Sequence, residues 1–119
     1  MKRTFGKLVR SRREALLSLD AQFGLRRTAA RAGLEPSYLS KIERGLVPPP
    51  SSAAIARLAK AVGLDRDELL ALAGKISADV RRTIIKRPKL MAGLVRQFAK
   101  VSDEGITRAI LRARRTGKQ

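Results

Sequence analysis

An all-α fold is predicted by three features of the 119-residue sequence. Apolar residues recur at helical spacing, and no run alternates apolar and polar residues with the Val, Ile and Thr enrichment of a strand. The periodic segments are also bounded by Ser, Asp, Pro and Gly where helices start and stop. With 44% hydrophobic residues the chain can bury a compact core.

The first helix starts from Thr4 as N-cap and carries Phe5, Leu8, Val9, Ala15 and Leu16. Residues 18–24 have no period and end it, with Phe23 expected to fasten this loop to the core. A second helix covers Leu25 to Ala32 and stops at Gly33. The third begins at Pro36, whose missing N–H would go unpaired there in any case, and ends at Gly45. Leu46, Val47 and three prolines then make a stiff connector. Ser51 or Ser52 caps a fourth helix, in which Ile55, Leu58, Ala59 and Val62 share a face before Gly63. A fifth follows from Asp65 to Ala73, with Asp67 and Glu68 near the positive end of its dipole and Gly74 as its stop.

Three more helices are expected beyond a boundary near Gly74, which divides the chain into residues 1–74 and a helical extension, 75–119. Ser77 is the expected cap of the sixth, with Ile76, Val80, Thr83 and Ile84 on one face. Pro88 starts the seventh, striped by Met91, Leu94, Val95 and Phe98, and Ser102 caps the eighth, striped by Ile106, Ala109, Ile110 and Ala113.

Lys and Arg number 27 against 10 Asp and Glu, a formal charge of +17 that points to a polyanionic partner: nucleic acid, an acidic protein or an anionic membrane surface. The extension is the more basic part, with 13 basic and 3 acidic residues against 14 and 7 in residues 1–74. Four aromatics, Phe5, Phe23, Tyr38 and Phe98, are too few to supply stacking platforms for single strands, which favours double-stranded DNA. The absence of Cys and His removes disulfides, zinc fingers, thiol nucleophiles and imidazole bases, so no enzyme, metal or cofactor is expected. The longest apolar stretch, Leu69 to Ala73, is far too short for a transmembrane helix or a signal-peptide core, which predicts a cytoplasmic protein with no membrane role.

Residues 25–44, LRRTAARAGLEPSYLSKIER, meet the requirements of a helix-turn-helix. Two steeply crossing helices need a small residue where they touch, which is Ala29, and the turn needs a residue tolerant of positive φ, which is Gly33. The inward face is Ala32, Leu34, Leu39 and Ile42. An ordinary αα-hairpin would share these features; the basic charge and the five-helix frame favour DNA binding.

The runs GLEPSYLSKIERG and IARLAKAVGLDRDELLALAG, joined by the proline connector, resemble the Cro and phage-repressor type (XRE family) of transcription regulators, with a five-helix lambda-repressor-like fold, over about residues 5–74. Residues 75–119 are similar to a C-terminal extension seen in a subset of such regulators. The resemblance implies that the third helix lies in the major groove, with Ser37, Lys41 and Pro36 at the bases. Lys41 has the reach for guanine O6 and N7, Ser37 can bond donor or acceptor edges, and Pro36 offers an apolar contact. Tyr38, Ser40 and Arg44 match phosphate-contact positions. Tyr38 can equally be a partly buried core aromatic, and Lys41 can be part of a solvated face.

Two residues depart from the family pattern. Leu25 stands where Gln commonly bonds a phosphate, which passes that role to Arg26 or Arg27, and Glu35 is a poor N-cap where Ser or Thr is usual. Phosphate neutralisation is expected from Arg26, Arg27, Arg44 and the backbone N–H groups of Leu46 and Val47. Lys2 and Arg3 are either an arm into a neighbouring groove or a solvated end.

A single module reads few base pairs, and the usual remedy is a twofold dimer. The unmatched stripes of the seventh and eighth helices, Met91, Leu94, Val95, Phe98, Ile106 and Ile110, are the expected seam; the alternative is that they fold back on their own domain. The basic faces of the sixth to eighth helices, including Arg81, Arg82, Lys86, Arg87, Lys89, Arg112, Arg114 and Arg115, are candidates for non-specific DNA affinity. The sequence thus points to a homodimeric repressor of its own or an adjacent operon. The alternative is an antitoxin-like or partner-controlled module whose extension grips a toxin or is controlled by a regulatory peptidase.

Overall fold

A computed structural model of the chain describes residues 4–117, which form eight α-helices and one 3-10 helix, with no strand among the described residues. Two compact units divide between Ser77 and Ala78.

In the first unit α1 is Phe5–Leu17, α2 Leu25–Ala32, α3 Pro36–Glu43, α4 Ser52–Val62 and α5 Arg66–Leu72. Side-chain caps fix most starts. Thr4 accepts from the Lys7 N–H at 3.2 Å, Ser51 from Ala54 at 3.2 Å and Asp65 from Glu68 at 2.9 Å, each filling a donor the helix leaves unpaired. Asp65 therefore precedes α5 as its cap instead of opening it. The aperiodic segment after α1 contains a 3-10 helix, Ala21–Phe23, set by the Asp20 side chain accepting from Gln22 N–H at 2.9 Å.

The core is assembled from one face of each helix. Phe5, Leu8 and Val9 of α1 meet Ala29 and Ala32 of α2, Leu39 and Ile42 of α3, Ile55, Leu58 and Ala59 of α4, and Leu69 and Leu70 of α5. Burying each large aliphatic side chain contributes about 1.5–3 kcal/mol. Leu25, Leu34, Tyr38 and Val47 close the edge of this cluster. Phe23 is not among them: it is half-buried, and the Arg31 guanidinium lies over its ring at 5.0 Å while donating to the Gln22 carbonyl at 2.8 Å. The Phe23 ring is held by a cation from outside instead of by entering the core.

The second unit contains α6, Ala78–Lys86, α7, Pro88–Phe98, and α8, Asp103–Thr116. Ser102 caps α8 by accepting from the Gly105 N–H at 3.1 Å. Ser77 does not cap α6, because its hydroxyl is buried without a hydrogen-bond partner. No residue of α6, α7 or α8 is buried.

Candidate nucleic-acid interface

Three residues, Gly33 to Glu35, join α2 to α3. Gly33 takes φ 67°, the left-handed conformation that lets its N–H and that of Leu34 return to carbonyls of α2. Arg57 of α4 donates from Nε to the Ala32 carbonyl at 2.9 Å, so the turn is tied to the frame from behind. Ala29 is fully buried where the helices meet.

Around α3, at about 100° per residue, Leu39, Ile42 and Glu43 face inward and are buried, whereas Ser37, Lys41 and Arg44 fall on the opposite, exposed side. Pro36, Tyr38 and Ser40 flank that side and are half-buried, Tyr38 packing against the core. Lys41 and Ser37 thus lie one turn apart with nothing covering them in the described chain. Glu35 occupies the N-cap and makes no side-chain cap bond.

The inward face is fixed by a pair that hydropathy alone passes over. Arg13 of α1 donates from Nε to Glu43 at 2.7 Å and from a terminal nitrogen at 2.8 Å, with side chains only 8% and 3% exposed. A third bond joins Arg13 to the Phe23 carbonyl at 3.3 Å. Hydrogen bonding to Glu43 outweighs burial and holds the Arg13 pKa above its ordinary value, so the guanidinium stays charged inside the fold. Next to this pair α1 and α3 touch main chain to main chain: a Cβ on Gly6 would overlap the Ile42 carbonyl oxygen and come within 2.9 Å of that of Glu43. Each ionic partner had a signal in the sequence. Arg13 continues the buried register Phe5, Val9 of α1, and Glu43 that of Leu39 in α3.

At the start of α2, Gly24 supplies no side-chain cap, the first turn has no acidic residue, and Arg26 and Arg27 are exposed there. Cations at the positive end of a helix dipole weaken the helix but suit an anion, which the free N–H groups and both guanidinium groups can bind together. Arg44 is exposed and its Nε is 3.4 Å from the Ser40 carbonyl. The N–H of Leu46 is not available to a phosphate: it donates to the Lys41 carbonyl at 2.9 Å and closes the end of α3. Val47 packs against the core, and its N–H has no partner among the described residues. Lys2 and Arg3 lie outside the described residues. Among the described residues no group of acidic side chains is arranged to hold a metal, and no helix is long and apolar enough to cross a membrane.

A family model described as a helix-turn-helix domain matches residues 4–72. The chain belongs to the helix-turn-helix family. Its described residues are all-α, as the sequence predicts. No curated protein matches it by sequence. A solved structure, the SinR protein/SinI protein complex, is similar at 18% identity and a TM-score of 0.48, over 98% of this chain and 100% of that one.

The matched helix-turn-helix region ends at residue 72 and leaves out α6 to α8. There Leu94, Val95, Phe98, Ile106, Ala109, Ile110 and Ala113 line an open apolar groove of about 360 Å³ between α7 and α8. Met91, the remaining residue of the expected seam, is half-buried and does not line the groove.

Proposed function

We propose that the protein is a sequence-specific, homodimeric repressor of its own or an adjacent operon that reads the major groove of double-stranded DNA with α3. The observation that carries this reading is the division of α3 into a face locked by Leu39, Ile42 and Glu43 and a bare face bearing Ser37, Lys41 and Arg44. Pro36, Ser37 and Lys41 contact bases, while Arg26, Arg27, Tyr38, Ser40, Arg44 and the Val47 N–H contact the phosphates on either side. The chain acts as a regulator, not an enzyme, and works in the cytoplasm. Dimerisation uses Met91, Leu94, Val95, Phe98, Ile106 and Ile110; support comes from the groove, whose residues a second copy would take out of water.

Selection of bound duplexes from a random pool tests all of this together. Inverted repeats about one helical turn apart are expected from a twofold dimer. Enriched sites without a dyad would remove the dimer, and no enrichment would remove specific reading. The same open groove favours a second reading, in which α7 and α8 hold a partner protein such as a toxin or a regulatory peptidase and DNA binding is autoregulation. A purified chain that is monomeric and binds only half-sites would favour it.

A further inference from the structure

Basic residues are used differently in the two units. In the first, Arg10, Arg12, Arg13, Arg31, Arg44 and Arg57 donate to protein acceptors. No Arg or Lys side chain of α7 or α8 forms a hydrogen bond or an ion pair among the described residues. Resting on the DNA-binding reading, we infer that these two helices carry a second DNA-binding surface, sequence-independent and centred on Arg108, Arg112 and Arg115, whose ligand is the phosphodiester backbone of the duplex.

Position on the helices supports this. In α8 the groove-lining Ile106, Ala109, Ile110 and Ala113 occupy one side, and Arg108, Arg112 and Arg115 repeat at i, i+4 and i+7 on the other, all exposed. In α7, Lys89 and Arg96 lie two turns apart, opposite Leu94 and Phe98. Whatever covers the apolar stripes therefore leaves the cations facing outward. The negative end of the α8 dipole favours Arg114 and Arg115 in the last turn but does nothing for Arg108 in the middle. Like charges at i, i+3 and i, i+4 weaken the helix that carries them; Glu104, one turn before Arg108, is the one carboxylate at i, i+4 to these arginines, and no ion pair forms at any of the three among the described residues.

The chemistry selects the ligand. Guanidinium groups match phosphate oxygens with paired donors, and from Arg108 to Arg115 the helix rises about 10 Å, roughly three phosphate steps along one strand. A single-strand ligand would need exposed rings to stack on, and the only aromatic residue of α7 and α8, Phe98, is half-buried in the groove.

The test uses the full chain and random 30-base-pair duplexes, with affinity measured from 50 to 200 mM salt. Arg108→Gln, Arg112→Gln and Arg115→Gln combined should make the slope of log affinity against log salt shallower by about 2–3 per protomer and lower the affinity at 50 mM by about tenfold or more. The triple Lys variant at the same positions, which keeps the charge, should retain the wild-type slope. An unchanged slope in the Gln variant would overturn the surface while leaving reading by α3 intact. A loss shared by the Lys variant would overturn it too, because charge would not be the cause. A wild-type chain that binds no duplex at any salt would remove the DNA-binding reading and this surface with it.

Discussion

Helices α4 and α8 are alike in pattern and unlike in fate. In α4, Ile55, Leu58, Ala59 and Val62 repeat at i, i+3, i+4 and i+7 and are all buried; in α8, Ile106, Ala109, Ile110 and Ala113 repeat at the same spacing and none is. Leu94 and Ile110 each remain 49% exposed, and Val95 is 65% exposed. Helical periodicity thus states that a face is built to be covered, but not by what. In the first unit the cover comes from the same unit, and Leu39, Ile42 and Glu43 hold α3 from behind. In the second the stripes are not covered within α6 to α8.

Substitutions in the two units should separate these situations. The largest effect is expected from Glu43→Gln, which leaves the Arg13 cation buried without its countercharge and should cost about 3–5 kcal/mol in urea unfolding. Replacing both partners, Arg13→Met with Glu43→Leu, should recover most of that loss; a double variant as unstable as the single one would show that the pair does more than neutralise itself. Leu94→Asp places a carboxylate in the α7–α8 groove, where burial without a partner is unfavourable. Sedimentation should then report a folded monomer with unchanged unfolding of the first unit. A fall in thermal stability with the oligomeric state unaltered would instead mean that the stripes pack within their own chain.

A smaller effect is expected at the reading face. Lys41→Ala should cost about 1–3 kcal/mol on the preferred site and relax one base position per half-site, whereas Arg26→Ala should weaken all duplexes alike. Equal losses on specific and random DNA for both variants would show that α3 reads through other residues. Smallest of all is a matched pair of cap deletions. Ser51→Ala should lower global stability by about 1 kcal/mol, and Ser102→Ala should speed amide exchange in the first turn of α8 with little change in the main unfolding transition.

Much of the first unit was legible because short-range physics fixes it. Proline at the start of α3, glycine after α2 and Thr4 before α1 act through their own backbone or the nearest N–H groups. The Arg13–Glu43 pair was not, since it spans 30 residues and depends on α1 crossing α3. A charge in a buried register on each helix was the available cue, but only the tertiary packing says that the two meet. The Leu46 N–H illustrates the converse: Gly45 with φ 73° implies a helix closure that consumes nearby donors, so the cue was local. Ser77 precedes α6 as a cap should, yet its side chain is buried, and burial overrides a local preference. Among the interface residues, the bare face of α3 followed from periodicity, because a helix with Leu39 and Ile42 inside must turn Ser37 and Lys41 outward.

The contact at Gly6 has a consequence for how the reading head can be changed. The tilt of α3 is set where its main chain rests on the main chain of α1, with the Arg13–Glu43 fork alongside, and neither support includes a side chain from the exposed face. Positions 37 and 41 therefore bear no load in the fold, and a library randomised there should melt within a narrow range around the parent while its members sort onto different operators. If operator reading by α3 holds, recoding it needs no compensating repair, and this helix is a replaceable cartridge in a fixed holder.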